Sequence, residues 1–116
     1  MAQKRIIVEM GAGNDLHGGD YTKAALRAVQ DALHHSSLSF IRALGLDSRK
    51  MQVAVTIGVQ RPDKVDAVRV KESLPHGEVT VVVVKGGLDV LDDDGRDSAV
   101  IASAAIIVSF ELGLAS

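Results

Sequence analysis

Asp15 and His17 stand two residues apart inside the run from Gly11 to Asp20, which holds four glycines, two aspartates and one histidine. A carboxylate beside an imidazole is the equipment of general acid/base chemistry, because the ring titrates near neutrality and the acid orients or tunes it. Glycines let backbone approach a ligand closely. Asp15 and His17 are therefore the candidate catalytic pair. Gly11, Gly13 and Gly18 would shape the backbone around a small molecule, and Lys23 and Arg27 would face an anionic part of it.

Other chemistries are weighed against this one. Asp15 and His17 with Glu9 or Asp20 offer the mixed oxygen and nitrogen ligands of a divalent ion, although a two-residue spacing fixes only two of the three ligands catalytic zinc takes. Gly18-Gly19 can aim N–H groups at a carboxylate or phosphate, but Asp20 competes for those donors as a helix cap and Asp15 repels the anion. The dinucleotide fingerprint fails because Leu16 falls where its third glycine belongs, and no Gly-Lys-Ser/Thr follows to make a P-loop. A plain structural role is the competing account: both side chains bond loop backbone while the glycines supply positive φ. No Gly-x-Ser-x-Gly occurs, so covalent catalysis lacks a motif, and nothing identifies a cofactor.

The remaining polar features read as structure. His34-His35 suits a helix C-terminus, where a positive ring meets the dipole, and His76 lies in the turn Pro75-His76-Gly77. Asp89, Asp92, Asp93, Asp94 and Asp97 fail as a calcium loop, since fixing Gly95 at its sixth position puts Val90 first and Ile101 twelfth. A solvated acidic turn is expected there. Lys85, before Gly86-Gly87, is expected to reach solvent.

Elements must position these groups. Ile6 to Met10 alternates as a strand, with Glu9 beside the glycine run. Asp20 can cap a helix whose apolar positions are Ala25, Leu26, Val29, Ala32 and Leu33, with an Arg27–Asp31 pair on its outer face and a continuation through Phe40, Ile41 and Leu44 to Gly45. Met51 to Gln60 places Met51, Val53, Val55, Ile57 and Val59 on one face and small or polar residues on the other. Pro62 opens a weak second helix with Val65, Val68 and Leu74, ended at Pro75-His76-Gly77. Val79 to Lys85 reads as a strand buried on both faces. Ala99 to Glu111 is a last strand with Val100, Ala102, Ala104, Ile106, Val108 and Phe110 inward.

Together these predict one α+β domain over residues 1–116, with a single mixed or largely parallel sheet, helices on one face and the order β-α-β-α-β-β. That order resembles the chorismate-mutase-like fold, with the ferredoxin-like fold as the alternative. In the former, helix-free sheet faces turn inward between subunits, which implies a homo-oligomer, trimer or higher. Chorismate-mutase chemistry itself is disfavoured because a dicarboxylate substrate wants an arginine cluster.

Composition closes several doors. Thirteen Lys and Arg against fifteen Asp and Glu leave a net charge of −2, with no basic run interleaved with aromatics, so no nucleic-acid partner is expected. The absence of cysteine removes thiol chemistry and disulfides and fits a reducing, cytoplasmic compartment. Met1 to Arg5 leads into strand-like sequence, and Ala99 to Val108 is shorter than the ~20 residues of a membrane span, so no membrane role is expected.

The run Gly11-x-Gly13-x-Asp15-x-His17-Gly18 resembles the Gly-x-Gly-x-Asp-x-His-Gly signature of a Lin-type conserved hypothetical family, a domain of unknown function. The resemblance continues through Thr22-Lys23-Ala24-Ala25, Arg27-Ala28 and Asp31-Ala32. It recurs at Leu74-Pro75, Gly77, Gly86-Gly87 and the aspartates before Ser98. It implies that the glycine-rich segment matters across the family, and it implies no reaction. Three functional classes follow from the residues: an enzyme using Asp15 and His17, a non-catalytic ligand-binding module, and a structural oligomer in which the loop locks an interface.

Overall fold

Alternating small and large residues build this protein, and a computed structural model describes residues 3–34, 51–74 and 77–111. Five strands form one mixed sheet: β1 (Gln3–Asp15), β2 (Gln52–Val59), β3 (Glu78–Lys85), β4 (Leu88–Leu91) and β5 (Ser98–Glu111). The spatial order is β1-β5-β2-β3, and β4 pairs with the start of β5. Only β2 and β3 run parallel; the other pairs are antiparallel. Helices α1 (Tyr21–His34) and α2 (Ala67–Glu72) pack on one face. The expected α+β sheet is thus present, with β4 as an added strand inside the acidic segment. The helical continuation from Phe40 to Gly45 lies outside the described residues.

The core is the inward row of each element. Val53, Val55, Ile57 and Val59 of β2 lie beside Ala104, Ile106 and Val108 of β5, and Ala25, Val29 and Ala32 of α1 are sealed against the same layer. Fully burying one such branched side chain is worth about 1.5–3 kcal/mol, and Val55, Ile57 and Val59 of β2, Val29 of α1 and Val100 of β5 are all fully buried. β3 departs from expectation. Val82 and Val84 are exposed, because β3 is an edge strand covered by α2 on one side only. The second helix also differs. Pro62–Lys64 makes a separate 3-10 turn, and Asp66 starts α2 by accepting from the N–H groups of Val68 and Arg69 at 3.1 and 3.2 Å. Val70 is its buried residue, while Val68 points to solvent.

The glycine run proves to be strand as far as Asp15. Gly11 and Gly13 stay in register with Ala104 and Ala102 of β5, and their missing side chains admit α1. A Cβ on Gly11 would lie 2.4 Å from the Ala32 nitrogen, and one on Gly13 would lie 2.2 Å from the Ala28 nitrogen. Alternation along the strand therefore meets the four-residue stagger of Ala24, Ala28 and Ala32 along the helix. The Ala12 N–H donates to Asp31 Oδ2 at 2.9 Å, which fastens the same contact at its edge.

Gly13→Ala is expected to cost about 1–3 kcal/mol or more, since the new methyl meets helix backbone that no rotamer change can move aside. Ala12→Ser, on the exposed side of the same strand, is expected to stay within about 0.5 kcal/mol. Urea unfolding of the two variants measures the contrast.

Candidate functional site

The site is the end of the sheet where β1 turns into α1. Gly18 and Gly19 take positive φ, 89° and 61°, and fold the chain back so that Asp20 caps the helix: its Oδ1 accepts from the Lys23 N–H at 3.0 Å. Asp15, the last residue of β1, faces inward beneath this turn and is only 4 % exposed. Its Oδ2 accepts from the Asp20 N–H at 2.9 Å, and its Oδ1 sits 3.6 Å from Lys23 Nζ and 4.0 Å from Arg27 Nη1. Arg27 also donates to the Asn14 carbonyl at 2.7 Å.

Asp15 and His17 do not meet. β1 ends at Asp15, and the bend over Leu16–Gly18 turns the chain out of the strand, which leaves the His17 side chain 87 % exposed. Its Nδ1 lies 3.2 Å from Asp97 Oδ2, and Asp97 Oδ1 accepts from the Gly18 N–H at 3.0 Å. Bonds from the Gly18 and Ser98 N–H groups and from His17 hold the Asp97 carboxyl below its ordinary pKa. The donors of Gly18, Asp20 and Lys23 that an anion would have used are thus satisfied by Asp97, Asp15 and Asp20. Gly11 and Gly13 lie under α1 and away from the turn. Among the described residues, no three His, Asp or Glu side chains converge on one metal ion.

A hollow of about 430 Å³ opens beside the turn, lined by Gly19, Tyr21, Arg61, Lys64, Asp89, Leu91 and Ser98. Tyr21, the one tyrosine of the sequence, donates its hydroxyl to Asp89 Oδ2. Burial and this bond push the phenol above its ordinary pKa, so Tyr21 is a neutral donor that fixes the carboxylate. The other Asp89 oxygen, Oδ1, and the Ser98 Oγ are buried without a hydrogen-bond partner among the described residues. Such groups cost about 1–3 kcal/mol each, and they are uncommon enough to point to a role. Sequence reasoning missed this cluster. Asp89 reads as one more acid of a turn, and its place on a strand is what aims it at Tyr21.

Fold and site together define a single-sheet α+β domain with a polar cleft at a strand-to-helix junction. The chain belongs to the Lin0512 family of conserved hypothetical proteins, whose profile matches residues 5–108. It is similar to the crystal structure of an FtsZ-like protein of unknown function from Nostoc punctiforme PCC 73102, with 36 % identity, a TM-score of 0.82 and coverage of 96 % of this chain and 98 % of that one. Among curated proteins, none matches the chain. No helix among the described residues is long and apolar enough to cross a membrane.

Asp15→Asn is expected to destabilise the fold by about 1–3 kcal/mol, because it removes the charge that Lys23 and Arg27 face while the amide oxygen can still accept from Asp20. His17→Ala, at an exposed position, is expected to stay within about 0.5 kcal/mol. A second expectation concerns pH. A carboxyl whose folded pKa is depressed stabilises above its unfolded pKa and loses that contribution as pH falls through the folded value. The Asp97 tie is therefore intact at neutral pH and released in acid. Carbon-detected titration of Asp97 should give a midpoint that rises in His17→Ala yet remains depressed by the two backbone donors.

Proposed function

We propose that this protein binds a small molecule in the hollow between the Gly18–Tyr21 turn, the Arg61–Lys64 segment and β4. The observation that carries this reading is the pair of buried, unpartnered polar atoms on residues lining that hollow, Asp89 Oδ1 and Ser98 Oγ. A ligand that offers hydrogen bonds here offsets a cost the empty fold bears. The acid/base assignment shifts accordingly. Asp15 acts as a positioning residue that holds the turn, Lys23 and Arg27 neutralise it, and Gly11 and Gly13 seat the helix. His17 with Asp97 forms an exposed pair at the rim, available for proton transfer only if a ligand extends that far. Binding without turnover is the function the geometry supports best.

A second reading concerns assembly. The sheet face without helices carries Val8, Met10, Val82 and Val84 in the open, with Met10 71 % and Val82 56 % exposed. Register puts Met10, Ala105, Thr56 and Val82 in one row across four strands. Contiguous apolar surface of this kind favours association, and a homo-oligomer of trimer or higher order, on chorismate-mutase-like lines, covers it with copies of the same face.

Amide NMR spectra recorded with a set of neutral, cationic and anionic metabolites test the first reading. Saturable shifts at Gly19, Tyr21, Asp89 and Ser98 are expected, and Ser98→Phe, which fills the hollow, should abolish them in a protein whose spectrum stays dispersed and folded. Shifts centred on His17 and Asp15 instead would return the site to the acid/base pair. For assembly, light scattering should report a multimer that Met10→Lys with Val82→Lys converts to monomer.

A further inference from the structure

We infer that the ligand of the hollow is a small organic anion that also bears a hydroxyl or amino group, an inference that rests on the ligand-site reading above. The lining has two poles of opposite demand. Arg61 precedes and Lys64 ends the 3-10 turn Pro62–Lys64, and neither is engaged in an ion pair among the described residues. Two unspent cations three residues apart are a receptor for carboxylate or phosphate oxygens. The opposite pole is an acceptor. Tyr21 occupies Asp89 Oδ2 and leaves Oδ1, buried and unpartnered, to take a proton donor, and Ser98, a second lining residue, carries an unpartnered hydroxyl able to donate or accept.

Each pole rejects half of the simpler candidates. A bare inorganic anion satisfies Arg61 and Lys64 but brings nothing to Asp89, whose charge repels it at close range. A neutral polyol satisfies Asp89 and Ser98 and leaves both cations unused. A cation meets Asp89 and is repelled by the other pole. A molecule with the anion at one end and a donor at the other answers both, and about 430 Å³ is at the small end of ligand sites, which suits a compact metabolite rather than a dinucleotide. The segment Arg61–Lys64 is anchored from below, since Thr22 Oγ1 donates to the Lys64 carbonyl at 3.4 Å and accepts from the Asp66 N–H at 2.9 Å. The first turn of α1 therefore sets the distance between the two poles: Tyr21 holds one and Thr22 the other.

Calorimetric and NMR titrations with glycerol 3-phosphate, glycerate, inorganic phosphate and glycerol test the inference on the full chain. Glycerol 3-phosphate or glycerate is expected to bind at least about tenfold more tightly than either inorganic phosphate or glycerol, the difference of one charge-assisted hydrogen bond. Arg61→Ala should lose about tenfold for both hydroxylated anions. Asp89→Asn, whose carbonyl still accepts from Tyr21 while its NH2 group faces the ligand, should weaken glycerol 3-phosphate and strengthen inorganic phosphate. Equal binding of glycerol and glycerol 3-phosphate, unchanged in Arg61→Ala, would overturn the anion class while leaving the hollow as the site. Shifts that persist with every probe in Ser98→Phe would show that the molecules bind elsewhere and would sink the site reading with it.

Discussion

The close approach of α1 to β1 over Gly11 and Gly13 is the constraint from which the rest of the structure follows. Helix backbone lies where side chains would ordinarily separate a helix from a sheet, so the position of α1 along β1 is set by steric fit rather than by apolar contact alone. That fit fixes where the helix begins. The turn Leu16–Asp20 must then reverse the chain within a few residues, and the two positive-φ glycines make this possible without strain. Asp15 lies inside the bend as an electrostatic anchor for the backbone and for two basic side chains of the first helical turns.

From that anchor the turn is tied outward to the β4–β5 hairpin by two side-chain pairs, His17 with Asp97 and Tyr21 with Asp89. The pairs differ in kind. His17 and Asp97 form a surface contact whose worth is screened by solvent, whereas Tyr21 and Asp89 meet partly buried at the wall of the hollow. The acidic segment that reads as a solvated turn is therefore divided in its roles. Asp92 and Asp94 accept from the N–H of Arg96 and shape the hairpin tip, while Asp89 and Asp97 reach across to the turn of β1.

Much of the fold is legible in the residues. The odd-numbered valines of β2 and the even-numbered apolar positions of β5 announce their buried faces, and Asp20 announces the start of α1. Reading the glycine run as a loop fails because glycine has two uses, left-handed backbone and close packing, and only the second applies at Gly11 and Gly13. The two-residue spacing of Gly11, Gly13 and Asp15, set against the four-residue spacing of Ala24, Ala28 and Ala32, carries the signal. The cluster around the hollow is less readable. Arg61, Asp89 and Ser98 are far apart in sequence, and only the pairing of β4 with β5 and the 3-10 turn after β2 bring them to Tyr21. Likewise the valines of β3 do not reveal which face is covered, since that depends on where the crossover through α2 lies.

The glycine–alanine seam also has a mechanical meaning. With no side chains between them to rearrange, α1 and β1 form a stiff beam, and sliding one along the other by a single residue would drive methyl groups into backbone. Any breathing of the cleft must therefore come from its other walls, β4 and the short Arg61–Asp66 link, the latter hanging from the beam by the hydroxyl of Thr22.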